Sequence, residues 1–398
     1  LSKIFGGSLT SNEIEQAKVM FVILVINLAL TLPMKSFTAI MTAYERFILP
    51  RSLAIFRIIL RMIIIFILLS LGYKAVAIVV VDSALNLLML MINMLYVFFK
   101  LKVRIRLHYL DIKLFKQIFS YSSLIFISVV VDQIYWRIGH LILGIVSTTA
   151  EVAVFAIGIM FGQYFITFST AISGVFLPRI TAMVVKDATG EDLTDMLIKT
   201  GRLQFIVLGL VLGGFIIVGK NFIYLWTGPD YYASWIIGLI LMIPLFFVLT
   251  QTIGISILQA KNMHGFRAFS YLGIAIINTF ISIYFAKAYG AIGAAAGTSL
   301  SLILGNIIVM NLYYHYKVKL NMPRFYKELF NGLFISFCAS LVIGSSLLII
   351  PGDSWMQFII QGTLFTAIYM VVLWKFGMNN YERNLFMNEF AKVRDRFF

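Results

Sequence analysis

Residues 114–146 read LFKQIFSYSSLIFISVVVDQIYWRIGHLILGIV, and this stretch decides the class of fold. It is long enough to cross a bilayer as a helix, since about 20 apolar residues span the hydrocarbon core. Its second half nevertheless carries Asp132, Gln133, Arg137 and His140 among isoleucine and valine. Ionisable groups at such depth are costly and usually face a protein interior or a water-filled cavity. The stretch therefore predicts a transmembrane helix that lines a polar cavity.

The composition of the whole chain points the same way. Of its 398 residues, 61% are hydrophobic and only 12% are charged, and the mean hydropathy is +0.95. A soluble protein cannot bury that much apolar surface, which indicates an all-α polytopic membrane protein. The apolar runs are continuous rather than alternating, so a transmembrane β-barrel is not expected. The net charge of +15 is better explained by basic cytoplasmic loops than by nucleic acid, and no nucleic-acid partner is expected.

Eleven apolar segments follow a polar start. They cover residues 17–44, 52–72, 75–99, 115–145, 151–177, 203–225, 232–258, 268–287, 291–316, 330–350 and 356–376. Alternate connectors, together with the C-terminal tail, hold 23 Lys and Arg residues, whereas the other connectors hold only Lys74, Lys220 and Lys287. This asymmetry predicts that the basic loops and the C-terminus are cytoplasmic. The chain opens on Leu1 rather than Met, and we expect that a longer protein begins before it.

Several runs, in this order, resemble a known transporter family. They are SYSSLIFISVVVDQIYWRIGHLILGIVSTTAEVAVFAIG (120–158), VFLPRITAM (175–183), FIYLWTGPDYY (222–232), SILQAKNMHGF (256–266) and YGAIGAAAGTSLS (289–301). The sequence resembles Wzx-type oligosaccharide flippases, the polysaccharide-transporter family of the multidrug/oligosaccharidyl-lipid/polysaccharide exporter superfamily. It departs from the family pattern at Ala153 and Phe155, where the family has glycine and tyrosine.

The resemblance implies a two-lobe helical bundle like that of the multidrug exporters of the same superfamily. Family members have fourteen helices, in two six-helix lobes followed by two further helices, so this chain would hold helices four to fourteen. Residues 1–110 would then be the remainder of the N-terminal lobe, with three transmembrane helices. Residues 111–320 would form the six-helix C-terminal lobe, and residues 321–398 would hold the last two helices and a cytoplasmic tail.

Arg137 is the leading candidate for contact with substrate. A lipid-linked oligosaccharide carries a pyrophosphate, and the planar fork of arginine binds such oxygens in pairs. The alternative is an ion pair with Asp132, but residues five apart lie about 140° apart around a helix. Asp132 is a candidate for proton or cation coupling, or alternatively the partner of a basic group on a neighbouring helix.

The first three spans hold four further candidates. Lys35 follows Pro33, where a helix break would direct the cation into the cavity; snorkelling is the alternative. Arg57 and Arg61 are four residues apart and form a basic stripe that could bind lipid phosphates or serve as cytoplasmic anchors. Asp82 is a second candidate for ion coupling. Its alternative role is interhelical hydrogen bonding on one face with Asn86 and Asn93.

The favoured function is a flippase that moves undecaprenyl-pyrophosphate-linked O-antigen, capsule or exopolysaccharide units across the bacterial inner membrane by alternating access. The expected partners are this substrate, membrane lipids and, in the same process, a polysaccharide polymerase and glycosyltransferases. A drug/cation antiporter of the same superfamily is the alternative. A membrane glycosyltransferase or polymerase is disfavoured, because the outer loops are short and hold no paired carboxylates. No catalytic residue, metal site or cofactor is expected, since the sequence has neither metal-ligand clusters nor a Walker-type phosphate loop.

Overall fold

The computed structural model describes residues 11–44, 46, 48–103, 111–261 and 263–387; these are almost entirely helical, with no strand among them. This helical content confirms the all-α fold class. Arg104, Arg106 and the basic residues after Met387 contribute to the predicted charge asymmetry, and they lie outside the described part. The chain divides into two compact units, Leu1–Phe119 and Ser120–Phe398. The predicted lobe boundaries at residues 110 and 320 stay predictions.

The first unit is built around its third helix. Its helices are α1 (Ser11–Ala43), α2 (Ile48–Ser70) and α3 (Ala75–Phe99). Helix α3 packs against both others, and its buried face includes Leu85, Met89, Leu90 and Val97. None of the described residues of α2 is buried. A mostly apolar helix exposed in this way is what a lipid bilayer accommodates.

The second unit contains the remaining helices, and the unit boundary falls inside α4. They are α4 (Ile112–Val146), α5 (Thr149–Val185), α6 (Gly190–Thr227), α7 (Tyr232–Thr250), α8 (Ile253–Ala260), α9 (His264–Leu302), α10 (Met310–Tyr316), α11 (Met322–Phe330), α12 (Leu333–Gly344) and α13 (Trp355–Val372). Two π-helical segments, Ile303–Val309 and Leu373–Gly377, continue α9 and α13. Helix α6 is central, because it packs against α5, α7, α11, α12 and α13.

Ten helical segments of the described chain are long and apolar enough to cross a membrane, and one of them needs dividing. Gly265–Tyr316 has 52 residues, roughly 80 Å at 1.5 Å per residue and far more than the ~30 Å hydrocarbon core. Its helical backbone is broken at Tyr289 and Gly290, and Gly290 has a φ of +56°. Divided there, the segments number eleven, which agrees with the hydropathy pattern. The chain is a multi-pass membrane protein.

Glu151 holds this reversal in place. Its side chain, in the first turn of α5, accepts a hydrogen bond of 2.6 Å from the backbone N–H of Ala291. That N–H lies at the start of the helical stretch after the break, where no preceding turn supplies an acceptor. A carboxylate at a helix N-terminus also interacts favourably with the helix dipole. Any Cβ on Gly290 would press on this carboxylate, at 2.8 Å from Oε2.

The helix that contains the predicted span 203–225 begins well before it, at Gly190, and its first turn carries Glu191 and Asp192. Thr189 and Asp192 form a capping box at the start of α6, with reciprocal bonds of 2.9 and 3.2 Å. From that cap, α6 runs unbroken for 38 residues, or roughly 57 Å. It therefore extends beyond the hydrocarbon core, and its first turns carry Asp195, which pairs with Arg324 at 2.7 Å.

The predicted span 232–258 is interrupted, because α7 ends at Thr250 and α8 begins at Ile253. The side chains of Thr250 and Thr252 explain the break. Their hydroxyls donate to the carbonyls of Phe247 and Leu249 at 2.8 and 2.7 Å, in competition with the backbone amides. The interruption leaves Gln251 buried between the two helices.

Arg202 joins α6 to the C-terminal helices, and we call its contacts the Arg202 hub. All five of its N–H groups have acceptors. Nε and Nη2 bind the Glu382 carboxylate at 2.5 and 3.1 Å, and the other three donate at 2.7 to 3.0 Å to the carbonyls of Glu328, Asn331 and Gly377. The side chains of Arg202 and Glu382 are only 6% and 1% exposed. The sequence had assigned Arg202 to a basic cytoplasmic loop, and the structure corrects this to a buried structural role.

Replacement of Arg202 by methionine should destabilise the protein by about 3–5 kcal/mol, because Glu382 would remain as an unpaired buried charge. Thermal unfolding monitored by fluorescence size-exclusion in detergent would measure the loss. Arg324→Gln is the matched control, because Arg324 is 41% exposed and its ion pairs are solvated. Equal melting temperatures for Arg202→Met and the wild type would contradict the structural role of the hub.

Substitution of Gly290 by alanine should destabilise the protein by about 1–2 kcal/mol, since the left-handed backbone at Gly290 disfavours a Cβ. The same thermal-unfolding measurement applies. Gly273→Ala is the control on the same helix, because a Cβ there meets no atom within 4 Å and alanine favours helix. The control should be neutral or slightly stabilising, and equal losses in the two variants would refute the assigned backbone strain.

Candidate functional site

Two of the predicted site residues, Arg61 and Asp82, pair with each other inside the first unit. Arg61 on α2 binds the Asp82 carboxylate on α3 through Nε to Oδ1 and through Nη2 to Oδ2, the latter at 2.9 Å. The pairing is bidentate, the strongest geometry that arginine and carboxylate adopt. The two side chains are 45% and 31% exposed. The predicted cation for lipid phosphates and the predicted ion-coupling acid therefore neutralise each other.

Arg57, the other member of the basic stripe, is tied to a network of amides. Its Nη1 donates to Oδ1 of Asn86 at 3.1 Å. The Asn86 amide nitrogen donates in turn to Asn27 at 2.9 Å and to Thr31 at 2.8 Å. The network joins α1, α2 and α3. The alternative role proposed for the polar face of the third span, interhelical hydrogen bonding, therefore accounts for Asn86.

Lys35 lies on an unbroken helix, which corrects one expectation. Helix α1 continues through Pro33 without interruption. The Ser36 hydroxyl donates at 2.6 Å to the carbonyl of Pro33, so this part of the backbone stays hydrogen-bonded. The Lys35 side chain is exposed. No helix break directs it, and its proposed substrate contact remains a prediction.

Asp132 and Arg137 are both exposed on α4, and each interacts with a different neighbour. The electrostatic partner of Asp132 is Arg267 on α9. Arg137 has no such counterion; it lies near His140 on the same helix, and the His140 ring packs edge-on against Phe155 at 5.0 Å. Asp132 thus interacts electrostatically with a basic group on a neighbouring helix, but among the described residues no salt bridge joins it to Arg267, and both roles considered for Asp132 stay predictions.

Arg267 is the residue that the sequence analysis missed, because it was counted among the basic residues of a cytoplasmic loop. It lies in the first turn of α9 and is half-buried. Its guanidinium carbon sits 4.7 Å from the centre of the Tyr271 ring, one turn further along the helix. The Nε–H is buried and has no hydrogen-bond acceptor. The signal available in the sequence was Tyr271, an aromatic residue four positions after Arg267 and so on the same face of the helix.

The polar residues around Arg267 form one hydrogen-bonded cluster. Tyr271 donates its hydroxyl to the side-chain oxygen of Asn306, which lies in the π-helical segment Ile303–Val309. The carbonyl of Asn306 accepts from Gln251 at 3.1 Å, and Gln251 accepts from Tyr326 at 3.4 Å. We call Arg267, Tyr271, Gln251, Asn306 and Tyr326 the Arg267 cluster. Both of its amides lie where a helix departs from regular α geometry, a common feature of functional sites.

A second polar network in the same unit is purely structural. Tyr135 on α4 donates to the carbonyl of Thr298 at 3.0 Å, and its own carbonyl accepts from Asn278 at 3.4 Å. Ser282 and Ser301 both donate to the Asn278 side-chain oxygen. These groups tie α4 to both halves of the broken helix α9. Asn278 therefore takes part in interhelical hydrogen bonding.

Two adjacent cavities, of about 260 and 310 Å³, lie beside the Arg202 hub. Both are lined by Arg202 and Glu328. All donors of Arg202 are already used within the protein, so this arginine has none to offer a ligand. Among the described residues, no group of three or more His, Cys, Asp or Glu side chains could hold a metal ion.

Comparison with known proteins shows that a solved structure has a similar fold. The fold is similar to that of the lipid II flippase MurJ in an inward closed conformation, with a TM-score of 0.69 and 18% sequence identity. The match covers 93% of this chain and 76% of the MurJ chain. No protein-family model and no curated protein matches the sequence. The chain therefore shares the fold of this flippase, and membership of the exporter superfamily and of its Wzx-type family stays a prediction.

The Arg61–Asp82 pair makes a prediction for the first unit. Arg61→Gln or Asp82→Asn should lower the yield of folded protein, because each leaves one charge without its partner at membrane depth. The exchanged variant Arg61→Asp/Asp82→Arg should recover the yield. Size-exclusion chromatography of each variant measures this, with Arg51→Gln, at the start of the same helix, as the control. An exchanged variant with full yield but no transport would assign Asp82 a role beyond pairing.

Proposed function

We propose that the chain is a flippase for undecaprenyl-pyrophosphate-linked oligosaccharide in the bacterial inner membrane. The observation that carries this proposal is the fold, which matches the lipid II flippase MurJ over 93% of the chain. By name, MurJ moves a lipid-linked substrate across a membrane. A protein of the same architecture suits a cargo with a polar head and a lipid tail.

The charged residues of the membrane-spanning helices support an anionic head group. Among the described side chains, Arg137 on α4 and Arg267 on α9 form no salt bridge, whereas Arg61 is neutralised by Asp82. An arginine on a membrane-spanning helix without such a counterion is costly and favours a functional role. A phosphorylated head group gains from guanidinium donors when it leaves water, whereas a cationic drug gains nothing from them. The cationic side chains therefore favour a glycan-lipid flippase over a drug/cation antiporter.

The proposed mechanism is alternating access. The head group would enter from the cytoplasmic side and leave on the outer side, while the polyprenyl tail stays in the lipid. The chain would act as a transporter rather than an enzyme, with the polysaccharide polymerase and glycosyltransferases acting before and after it. Arg137 and Lys35 remain the proposed head-group contacts, and Asp132 remains a proposed coupling residue. The lobes at residues 1–110 and 111–320, with two further helices after them, are the proposed moving parts.

A reconstituted flipping assay tests the function. Proteoliposomes containing a fluorescent undecaprenyl-pyrophosphate oligosaccharide would be treated with dithionite, which quenches only the label exposed on the outside. The protein should accelerate exposure of the label relative to protein-free vesicles. A variant of the same chain disrupted in folding at Arg202 serves as the inactive control. Antiport of a cationic dye without movement of the labelled glycan lipid would reject the proposal in favour of a drug exporter.

Arg137 gives the residue-level test. Arg137→Ala should slow flipping by about tenfold, the effect of losing one charge-assisted hydrogen bond to the head group. Arg137→Lys should retain part of the rate, because it keeps the charge and loses the planar fork. Unchanged flipping by Arg137→Ala at a normal protein level would remove this residue from the site.

A further inference from the structure

Two exposed tryptophans flank the same phenylalanine at one end of the second unit. Trp226 lies in the last turn of α6, and Trp355 is the first residue of α13. They are 45% and 47% exposed. Their ring centroids lie 5.6 and 6.1 Å from the ring centroid of Phe222, which brings both indoles to one place on the surface. The charge asymmetry of the connectors predicts that this end of the unit faces the outside of the cell.

The support under the two indoles is fixed by packing and hydrogen bonds. Phe222 and Phe358 are partly buried and pack against the core of the unit. The Phe358 ring lies 5.5 Å from Phe222 and 6.0 Å from Trp355. The loop before Trp355 is held by Gln361, whose amide nitrogen donates to the carbonyl of Ile350 at 2.7 Å. Rings held in this way lose little conformational entropy when a ligand binds.

The polar groups of this surface are not used within the protein. Among the described residues, the indole N–H groups of Trp226 and Trp355 have no acceptor. Trp235 on α7 is different, because its N–H donates to the carbonyl of Phe215 at 2.9 Å. Asp353, two residues before Trp355, is exposed, and its carboxylate forms no salt bridge with a described residue. Two donors and one anionic acceptor are therefore available to a ligand.

This combination of groups suits a sugar better than a lipid. A pyranose has a face of slightly positive C–H groups, which stacks on the electron-rich face of an indole. Its hydroxyls donate more strongly to a carboxylate than to a neutral oxygen. Tryptophan is also common as an anchor at the membrane interface, but the carboxylate of Asp353 would repel anionic lipid head groups. Anchoring therefore accounts for the rings and not for the acid in the same loop.

We propose that Trp226 and Trp355 form a saccharide-docking surface for the glycan of the lipid-linked cargo, with Asp353 as the acceptor for sugar hydroxyls. The inference rests on the proposed function and deepens it by naming where sugar units bind after they cross the membrane. Binding stabilises the state that holds the ligand, so a glycan docked on the outer side favours export over return. Phe222 and Phe358 are positioning residues, because they act through the two indoles.

Saturation-transfer-difference NMR of the full chain in nanodiscs of neutral lipid tests this surface directly. The probes are maltohexaose and N-acetylchitohexaose, and sorbitol is the negative probe because it has hydroxyls but no ring face. The wild type should transfer saturation to at least one hexasaccharide above the level of empty nanodiscs, and sorbitol should receive none. Transfer to neither hexasaccharide, or equal transfer to sorbitol, would overturn the inference.

Leucine variants separate sugar stacking from interfacial anchoring. Trp226→Leu and Trp355→Leu keep an apolar side chain for the lipid but lose the indole face, and each should weaken hexasaccharide binding by about fivefold. Trp374→Leu is the matched control, because Trp374 is 38% exposed in the π-helical segment at the opposite end of α13. The control should bind like the wild type. Equal losses in all three variants, or unaltered binding by the first two, would contradict the assignment.

Two milder variants keep the test decisive if a leucine variant fails to fold. Trp355→Tyr retains an aromatic face and should bind the hexasaccharide more weakly than the wild type but measurably. Asp353→Asn changes an exposed loop residue and should weaken binding by about threefold, because the acceptor loses its charge. Unaltered binding by Asp353→Asn would reject the role of the acid, and unaltered binding by both variants would reject the surface.

The flipping assay keeps this inference distinct from the proposed function. A wild type that moves the labelled glycan lipid but binds neither hexasaccharide would leave the flippase proposal standing and reject the docking surface. A wild type that binds a hexasaccharide through the two tryptophans but moves no glycan lipid would reject the flippase and leave a saccharide-binding surface. A wild type that does neither would reject both.

Discussion

The structure depends on one constraint: a charged side chain buried inside a membrane protein needs an opposite charge and hydrogen-bond partners close to it. The Arg202 hub satisfies this rule completely, with one carboxylate and three backbone carbonyls around a single guanidinium. The carbonyls come from Glu328 at the end of α11, Asn331 after it, and Gly377 at the end of a π-helical segment. These positions are helix ends, where the last carbonyls lack intrahelical partners. One side chain thus completes the ends of two helices and fixes both to α6.

The same rule separates structural polar residues from the candidate for function. Asn86 and Asn278 lie on apolar helices, and each finds partners on neighbouring helices, so hydrogen bonding alone accounts for them. Arg61 and Asp82 neutralise each other in the same way. Arg267 stacks on Tyr271 but keeps a buried Nε–H without an acceptor. Placement in the membrane therefore does not by itself mark a binding residue.

The breaks in the helices follow the same constraint, because side chains satisfy the polar backbone groups that each break exposes. Gly290 allows the chain to reverse between two spans, and Glu151 supplies the acceptor for the first N–H after the turn. The hydroxyls of Thr250 and Thr252 compete with backbone amides and separate α7 from α8, which places Gln251 beside the π-helical segment of Asn306. Irregular backbone at membrane depth is tolerated where protein groups satisfy it. In this chain the irregular places are also where the Arg267 cluster is assembled.

The sequence by itself determined the helical membrane class and the eleven spans, because hydropathy and span length depend on local composition and on the thickness of the bilayer. It also identified the helix that carries Asp132 and Arg137. It could not assign Arg202 and Arg267, which look like ordinary loop cations in the charge count, nor the pairing of Arg61 with Asp82. Those roles depend on which acceptors other helices bring to each guanidinium. Such contacts join residues up to 180 positions apart, and only the packing of the helices decides them.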